Sequence, residues 1–289
     1  MIGRHNVPVV KLLLLVIVLC AIGGAVALRL RARTKLRVAY AIGPLSTDAY
    51  AALASKAGWQ PWAVTLPDNI VLKGLIRRPK SAAAPWILFL PGNDPEQLMT
   101  GQRAVEWMLG GDDWGAAVVA YRGYDGSGGV PQVDQLHRDG VSIYNTLRTS
   151  EHLSVAQLHI AGFSIGGNIA SYVTSELARR KVPAPSLSLL AAANYFVLVR
   201  PGPFEKWVIG DTFHTVPLLP DVPAPVLVVQ GAADEALLGP GQGREIAAAL
   251  GSRAAYVELP GAGHSALLTD STALSHVHTF VTAHLQPAK

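Results

Sequence analysis

The sequence predicts an α/β fold, a mostly parallel central sheet flanked by helices, with an N-terminal transmembrane helix ahead of it. Three observations predict it. Beyond position 60, short apolar runs alternate with longer amphipathic ones, as when helices cross over between parallel strands. A Gly-x-Ser-x-Gly turn, residues 162–166, stands where one apolar run passes into a helical pattern. Residues 12–28, LLLLVIVLCAIGGAVAL, carry no charge and approach the roughly 20 residues that span a bilayer core.

The N-terminal run reads as a single membrane pass through residues 12–28. The alternative is a cleaved signal peptide with export, because Arg4 and Lys11 make a positive start and Ala25-Val26-Ala27 resembles a small-residue cleavage site. The basic block from Arg29 to Arg37 disfavours translocation of the chain beyond it, which places the remainder on the cytoplasmic face. Lipid attachment at Cys20 is disfavoured by Leu19, which stands where a small residue is wanted, and a buried core helix by the unbroken apolarity. The expected organisation is therefore a membrane anchor with basic flank over 1–37 and one catalytic domain over 38–289.

Within the second part, strands are expected at 86–90, 116–121, 158–163, 187–191, 226–230 and 254–259. Helices are expected at 95–109, 133–149, 165–180, 243–250 and 271–284, and an antiparallel lead-in pair over 64–76. Residues 194–222 interrupt the alternation with prolines and aromatics, which makes them a candidate lid or binding excursion, or else a plain surface loop.

Composition excludes several classes. Half the residues are hydrophobic and 15% charged, too apolar a mixture for disorder. The net charge of +4 invites a nucleic-acid partner, yet seven of the 24 basic residues and none of the 20 acidic ones fall within the first 37. The remainder is slightly acidic and lacks the footprint of a nucleic-acid binder. A single cysteine excludes an internal disulfide and a thiolate zinc site, and the nine histidines show no metal-ligand spacing. No Gly-Lys-Ser/Thr or dinucleotide fingerprint is present, so no cofactor or metal is expected.

The chemistry centres on Gly162-Phe163-Ser164-Ile165-Gly166-Gly167. A serine on a sharp strand-to-helix turn has a strained backbone, and glycines two residues either side prevent clashes there. As a bare pattern this is weak, and its place between strand and helix is what gives it meaning. A serine hydroxyl needs a base to take its proton, and histidine has the suitable pKa. His264, in Pro260-Gly261-Ala262-Gly263-His264-Ser265 after the last strand, is the candidate, whereas His137, His152, His159 and His214 read as structural or exposed. Asp234, just past the strand at 226–230, is the candidate third member, with Glu235, Asp211 and Asp221 as alternatives. Two backbone amides are expected to form the oxyanion hole, those of Ile165 at the helix start and of Asn93 in Leu90-Pro91-Gly92-Asn93-Asp94.

With these positions assembled, the chain resembles the α/β-hydrolase superfamily, and within it the membrane-anchored Bem46-like proteins. The resemblance rests on Leu90-Pro-Gly-Asn93, on Tyr121-Arg-Gly-Tyr-Asp-Gly-Ser-Gly128, on the elbow, and on the paired Gly231-Ala-Ala-Asp234 and Gly261-Ala-Gly-His264. It covers roughly residues 60–285, with Pro91 in place of a common histidine and Asp125 in place of a frequent glycine. The resemblance implies an α/β-hydrolase fold and hydrolysis of an ester, thioester or amide in a small molecule, lipid or acyl-protein. The Tyr121 to Gly128 stretch reads as a glycine-shaped turn with Arg122 in a structural ion pair. Alternative readings are a prolyl-oligopeptidase-like peptidase, suggested by the Gly166-Gly167 pair, and a membrane-tethered binding protein without catalysis.

Overall fold

The computed structural model of the chain describes residues 7–39, 44–196, 213–237 and 239–285. The chain divides into two units, one of residues 1–40 with 197–212, the other of 41–196 with 213–289. The described part of the first is one helix, α1 (Val7–Ala39), which contains the apolar stretch Val10–Leu28 of 19 residues with a mean hydropathy of 2.7. The large apolar side chains described between Val10 and Val26 are exposed, Leu12 and Leu13 at 62%.

The second unit begins with α2 (Thr47–Ala54), a short helix capped by Ser46, whose Oγ accepts the Ala49 amide at 3.1 Å. It precedes the expected lead-in pair, β1 (Trp59–Thr65) and β2 (Val71–Arg77), which are antiparallel. The alternating elements are β3 (Trp86–Leu90), α3 (Gln97–Leu109), β4 (Gly115–Val119), α4 (Val133–Ser150), β5 (Leu158–Phe163), α5 (Ile165–Arg179) and β6 (Leu187–Leu190). A two-stranded ribbon of β7 (Tyr195–Phe196) and β8 (Phe213–His214) comes next, then β9 (Val226–Gly231), α6 (Gly241–Leu250), β10 (Ala254–Leu259) and α7 (Ser271–Ala283).

Eight strands form one sheet in the order β1-β2-β4-β3-β5-β6-β9-β10, parallel from β4 to β10. Every residue of β3, β4, β5, β6 and β9 is buried, which is why these strands read as continuous apolar runs and not as alternating ones. The outer strands differ. Strand β1 alternates from Pro61 onward and accommodates that proline, whose missing N–H costs little on a sheet edge. The helices cover the sheet in groups, α3 against α7 and α4 against α5.

Two element ends depart from the sequence expectation for local hydrogen-bonding reasons. Helix α3 starts at Gln97 and not at 95, because the Asp94 side chain takes the Glu96 amide at 2.8 Å in a turn. Strand β4 stops at Val119 and not at 121, and the amide of Tyr121 donates instead to Oε1 of Gln97 at 2.9 Å. Arg122 forms the expected ion pair, bidentate to buried Asp139 at 2.5 and 2.8 Å and extended to Asp68.

Of the excursion expected at 194–222, the stretch 197–212 lies outside the described residues. Its two limbs are joined where the Thr215 amide donates to the Asn194 carbonyl at 2.8 Å. Thr215 also accepts from Asn168 of α5 at 2.9 Å, and Asn168 Oδ1 meets Nε2 of His137 at 2.6 Å.

Candidate active site

The serine turn is built as its spacing demands. Ser164 stands between β5 and α5 with φ 54° and ψ −119°, a strained backbone for a residue with a side chain. Its amide donates to Leu190 of β6 and its carbonyl accepts from Gly167, both at 3.0 Å, so the neighbouring strand and the helix start hold the turn. The flanking glycines are a steric necessity: a Cβ at Gly162 would lie 2.3 Å from the Gly166 carbonyl oxygen, and one at Gly166 would lie 2.1 Å from that of Leu90. Ile165 is the first residue of α5, so its amide is one of the N–H groups left without a helical acceptor at the positive end of the helix dipole.

Asp234 and His264 come together across two turns at the ends of adjacent strands. The Ala233 amide donates to the Ala262 carbonyl at 3.0 Å and stitches the turns to each other. Nδ1 of His264 lies 2.8 Å from Oδ2 of Asp234. That oxygen also accepts from Nε2 of Gln230 at 2.8 Å, while Oδ1 accepts the Leu237 amide at 2.9 Å. Burial raises the Asp234 pKa, but these hydrogen bonds outweigh it and hold the carboxyl below the usual range. An ionised carboxylate only accepts, so Nδ1 of His264 is the donor in this hydrogen bond and Nε2 is the ring nitrogen left to face away from Asp234. The imidazole ring packs on Phe163, centroids 4.8 Å apart, which puts it beside the residue preceding Ser164. Asp234, His264 and Ser164 are all buried, at 1%, 9% and 5% exposure, so little water competes with their interactions.

The loop carrying Asn93 borders the serine, since a Cβ on Gly92 would sit 3.2 Å from Cβ of Ser164 and 2.7 Å from the Phe163 ring. Among the alternative carboxylates, Asp221 pairs with Arg179 at the surface, Glu235 is exposed, and Asp211 lies outside the described residues. His159 bonds Ser186 and His137 bonds Asn168, each inside the fold. Gln230 was not legible as a site residue. Its only sequence signal is a polar side chain ending an apolar strand, at Val226-Leu-Val-Val-Gln230.

Asp125 is a buried carboxylate at the start of α3. Its Oδ2 accepts the Leu98 amide at 2.7 Å, capping α3 in place of Glu96, while Oδ1 is buried without a hydrogen-bond partner among the described residues. Burial, with Asp94 and Glu96 nearby, pushes its carboxyl up to about 6 against the opposing Leu98 bond. The folded protein thus binds the proton more tightly than the unfolded chain, and stability falls as pH rises from about 4 to about 6. The full loss is on the order of 3 kcal/mol and persists above that window. Asp125→Asn removes it, so its stability relative to wild type should increase between pH 4 and pH 7 in urea titrations. An unchanged difference across that range would contradict the assignment.

No protein-family model matches the sequence. An uncharacterized protein of Mycobacterium tuberculosis is 28% identical over 207 residues, which cover 69% of this chain and 70% of the relative. The crystal structure of an alpha-beta hydrolase from Vibrio vulnificus superposes with a TM-score of 0.71 at 18% identity, over 89% of this chain and 93% of that one. The chain has the α/β-hydrolase fold. An esterase of Pyrococcus furiosus shares the α/β-hydrolase architecture to a TM-score of 0.65 at 14% identity, covering 85% of this chain and 96% of its own. At such identities the likeness concerns the fold.

Proposed function

We propose that the chain is a membrane-tethered serine hydrolase that cleaves ester or thioester bonds through Ser164, His264 and Asp234. The observation that carries this reading is the buried Asp234–His264 hydrogen bond beside a serine held at positive φ. Such a set adds little to folding and is difficult to account for by packing. Oγ of Ser164 attacks the acyl carbon as Nε2 of His264 takes its proton, and Asp234 holds the resulting imidazolium. The amides of Ile165 and Asn93 receive the oxyanion. Collapse expels the alcohol or thiol with the proton from His264 and leaves an acyl-enzyme, which water then opens by the same route to release the acid.

The apolar helix supports a tether, and with it a resemblance to the membrane-anchored Bem46-like proteins. The basic residues at its C-terminal end favour a cytoplasmic catalytic part. A tethered hydrolase meets substrates that partition into or dock on membranes, so acylated small molecules, lipids and acyl-proteins are the substrate classes. The full-length chain in detergent micelles should turn over p-nitrophenyl esters of graded chain length and lose that activity on fluorophosphonate treatment. A folded protein that neither hydrolyses any of the series nor reacts with the fluorophosphonate would rule the reading out.

A further inference from the structure

We propose that Gln97 and Tyr121 are positioning residues that aim the oxyanion loop by clamping the carbonyls of Gly92 and Pro91, an inference that rests on the serine-hydrolase reading. In a trans peptide unit the C=O and the next residue's N–H point in opposite directions. Whatever holds the carbonyl of Gly92 therefore sets the direction of the Asn93 amide, and whatever holds that of Pro91 fixes the preceding peptide plane, from which the Gly92–Asn93 unit is projected.

Both carbonyls are held by side chains from outside the loop. Nε2 of Gln97 donates to Gly92 O at 2.7 Å, and the Tyr121 hydroxyl donates to Pro91 O at 2.9 Å. Oε1 of Gln97 accepts the Tyr121 amide at 2.9 Å, which links the two clamps. This fixes the orientation of the Gln97 amide, because a flip would face two acceptors together and two donors together. Both side chains are fully buried, so water does not compete for these bonds. Burial also holds the Tyr121 phenol well above its ordinary pKa, so the hydroxyl remains a donor at any working pH. A third clamp acts on the Asn93 side chain, whose Oδ1 accepts from the Tyr124 hydroxyl at 2.6 Å.

The loop needs such help for a reason visible in its sequence. Pro91 has no N–H to tie the loop down, and Gly92 has no room for a side chain against Phe163 and Ser164. The wide φ/ψ range of Gly92 leaves the direction of the Asn93 amide weakly determined by the loop itself. Oxyanion donors act through preorganisation, so a donor free to turn away loses much of its effect.

The test uses full-length Tyr121→Phe, which removes one hydroxyl, and Gln97→Met, which removes the amide at similar volume. Each should lower kcat by about 10-fold to 100-fold with KM changed less than about 3-fold. Affinity for a trifluoromethyl ketone, whose hemiketal oxyanion occupies the same donors, should fall by the same factor as kcat/KM. A merely structural role would lower the melting temperature without moving the ketone affinity. Wild-type kcat and ketone affinity in Tyr121→Phe overturn the proposal, whether or not Gln97→Met folds. A wild-type chain without fluorophosphonate labelling at Ser164 overturns the hydrolase reading itself, and the inference with it.

Discussion

Ser164→Ala is expected to reduce ester turnover by on the order of 10⁴-fold to 10⁶-fold and to abolish fluorophosphonate labelling, because the nucleophile and its base act as a unit. The companion variant Ser164→Gly should be equally inactive yet more stable. The serine backbone sits at φ 54°, ψ −119°, a conformation that costs a residue with a Cβ about 1 to 3 kcal/mol and glycine almost nothing. Part of this gain is cancelled by the greater freedom of glycine in the unfolded chain, roughly 0.5 to 1 kcal/mol. The net expectation is about 1 kcal/mol, a rise of about 2 to 4 °C in melting temperature for a domain of this size. A stabilised but dead Ser164→Gly would show strain kept for chemistry. A clearly destabilised one would mean that the turn is relaxed in solution, and would remove one of the supports of the hydrolase reading.

Gly166→Ala should be one of the most damaging single-methyl additions among the described residues. The new Cβ would lie 2.1 Å from the carbonyl oxygen of Leu90 and 2.3 Å from that of Pro91, and both obstacles are backbone. Neither can rotate away as a side-chain tip can. Leu90 ends β3, a strand hydrogen-bonded on both sides by β4 and β5, so relief requires α5 to lift off the sheet. A cost of about 4 kcal/mol or more is expected, a fall of roughly 10 °C in melting temperature if the protein accumulates at all. Gly241→Ala is the matched control. It opens α6 with nothing within 4 Å of the added methyl, so it should be neutral or gain about 0.5 to 1 kcal/mol. Equal stability of the two variants would refute the close approach of helix and strand at the serine turn.

The parts of the fold legible in the sequence were those that depend on neighbours along the chain. Strands β3, β5 and β10 fall where their apolar runs lie, because burial on both faces leaves β3 and β5 few polar residues to interrupt them, and β10 ends at the Pro260-Gly261 turn. The serine turn was legible because its glycines answer a clash between residues four apart, Gly162 and Gly166. Helix α2 was missed: eight residues long, it is held by the Ser46 cap and by the Tyr50 hydroxyl reaching the Gly74 carbonyl at 2.8 Å, a contact across 24 positions. The ends of α3 and β4 were misplaced because Asp94 and Gln97 compete for backbone amides, and propensity does not record such competition.

By itself the sequence determined the α/β class, the apolar N-terminal helix, and the serine and histidine turns at strand ends, since each comes from periodicity or from steric demands inside a few residues. Only the tertiary structure decided which carboxylate meets His264, that Gln230 shares its oxygen, that Gln97 and Tyr121 hold the Asn93 loop, and that Asp125 caps α3. Those pairings join residues up to 30 positions apart through sheet order and register. A buried hydrogen bond depends on where two strands end in space, and nothing local in the chain encodes that distance.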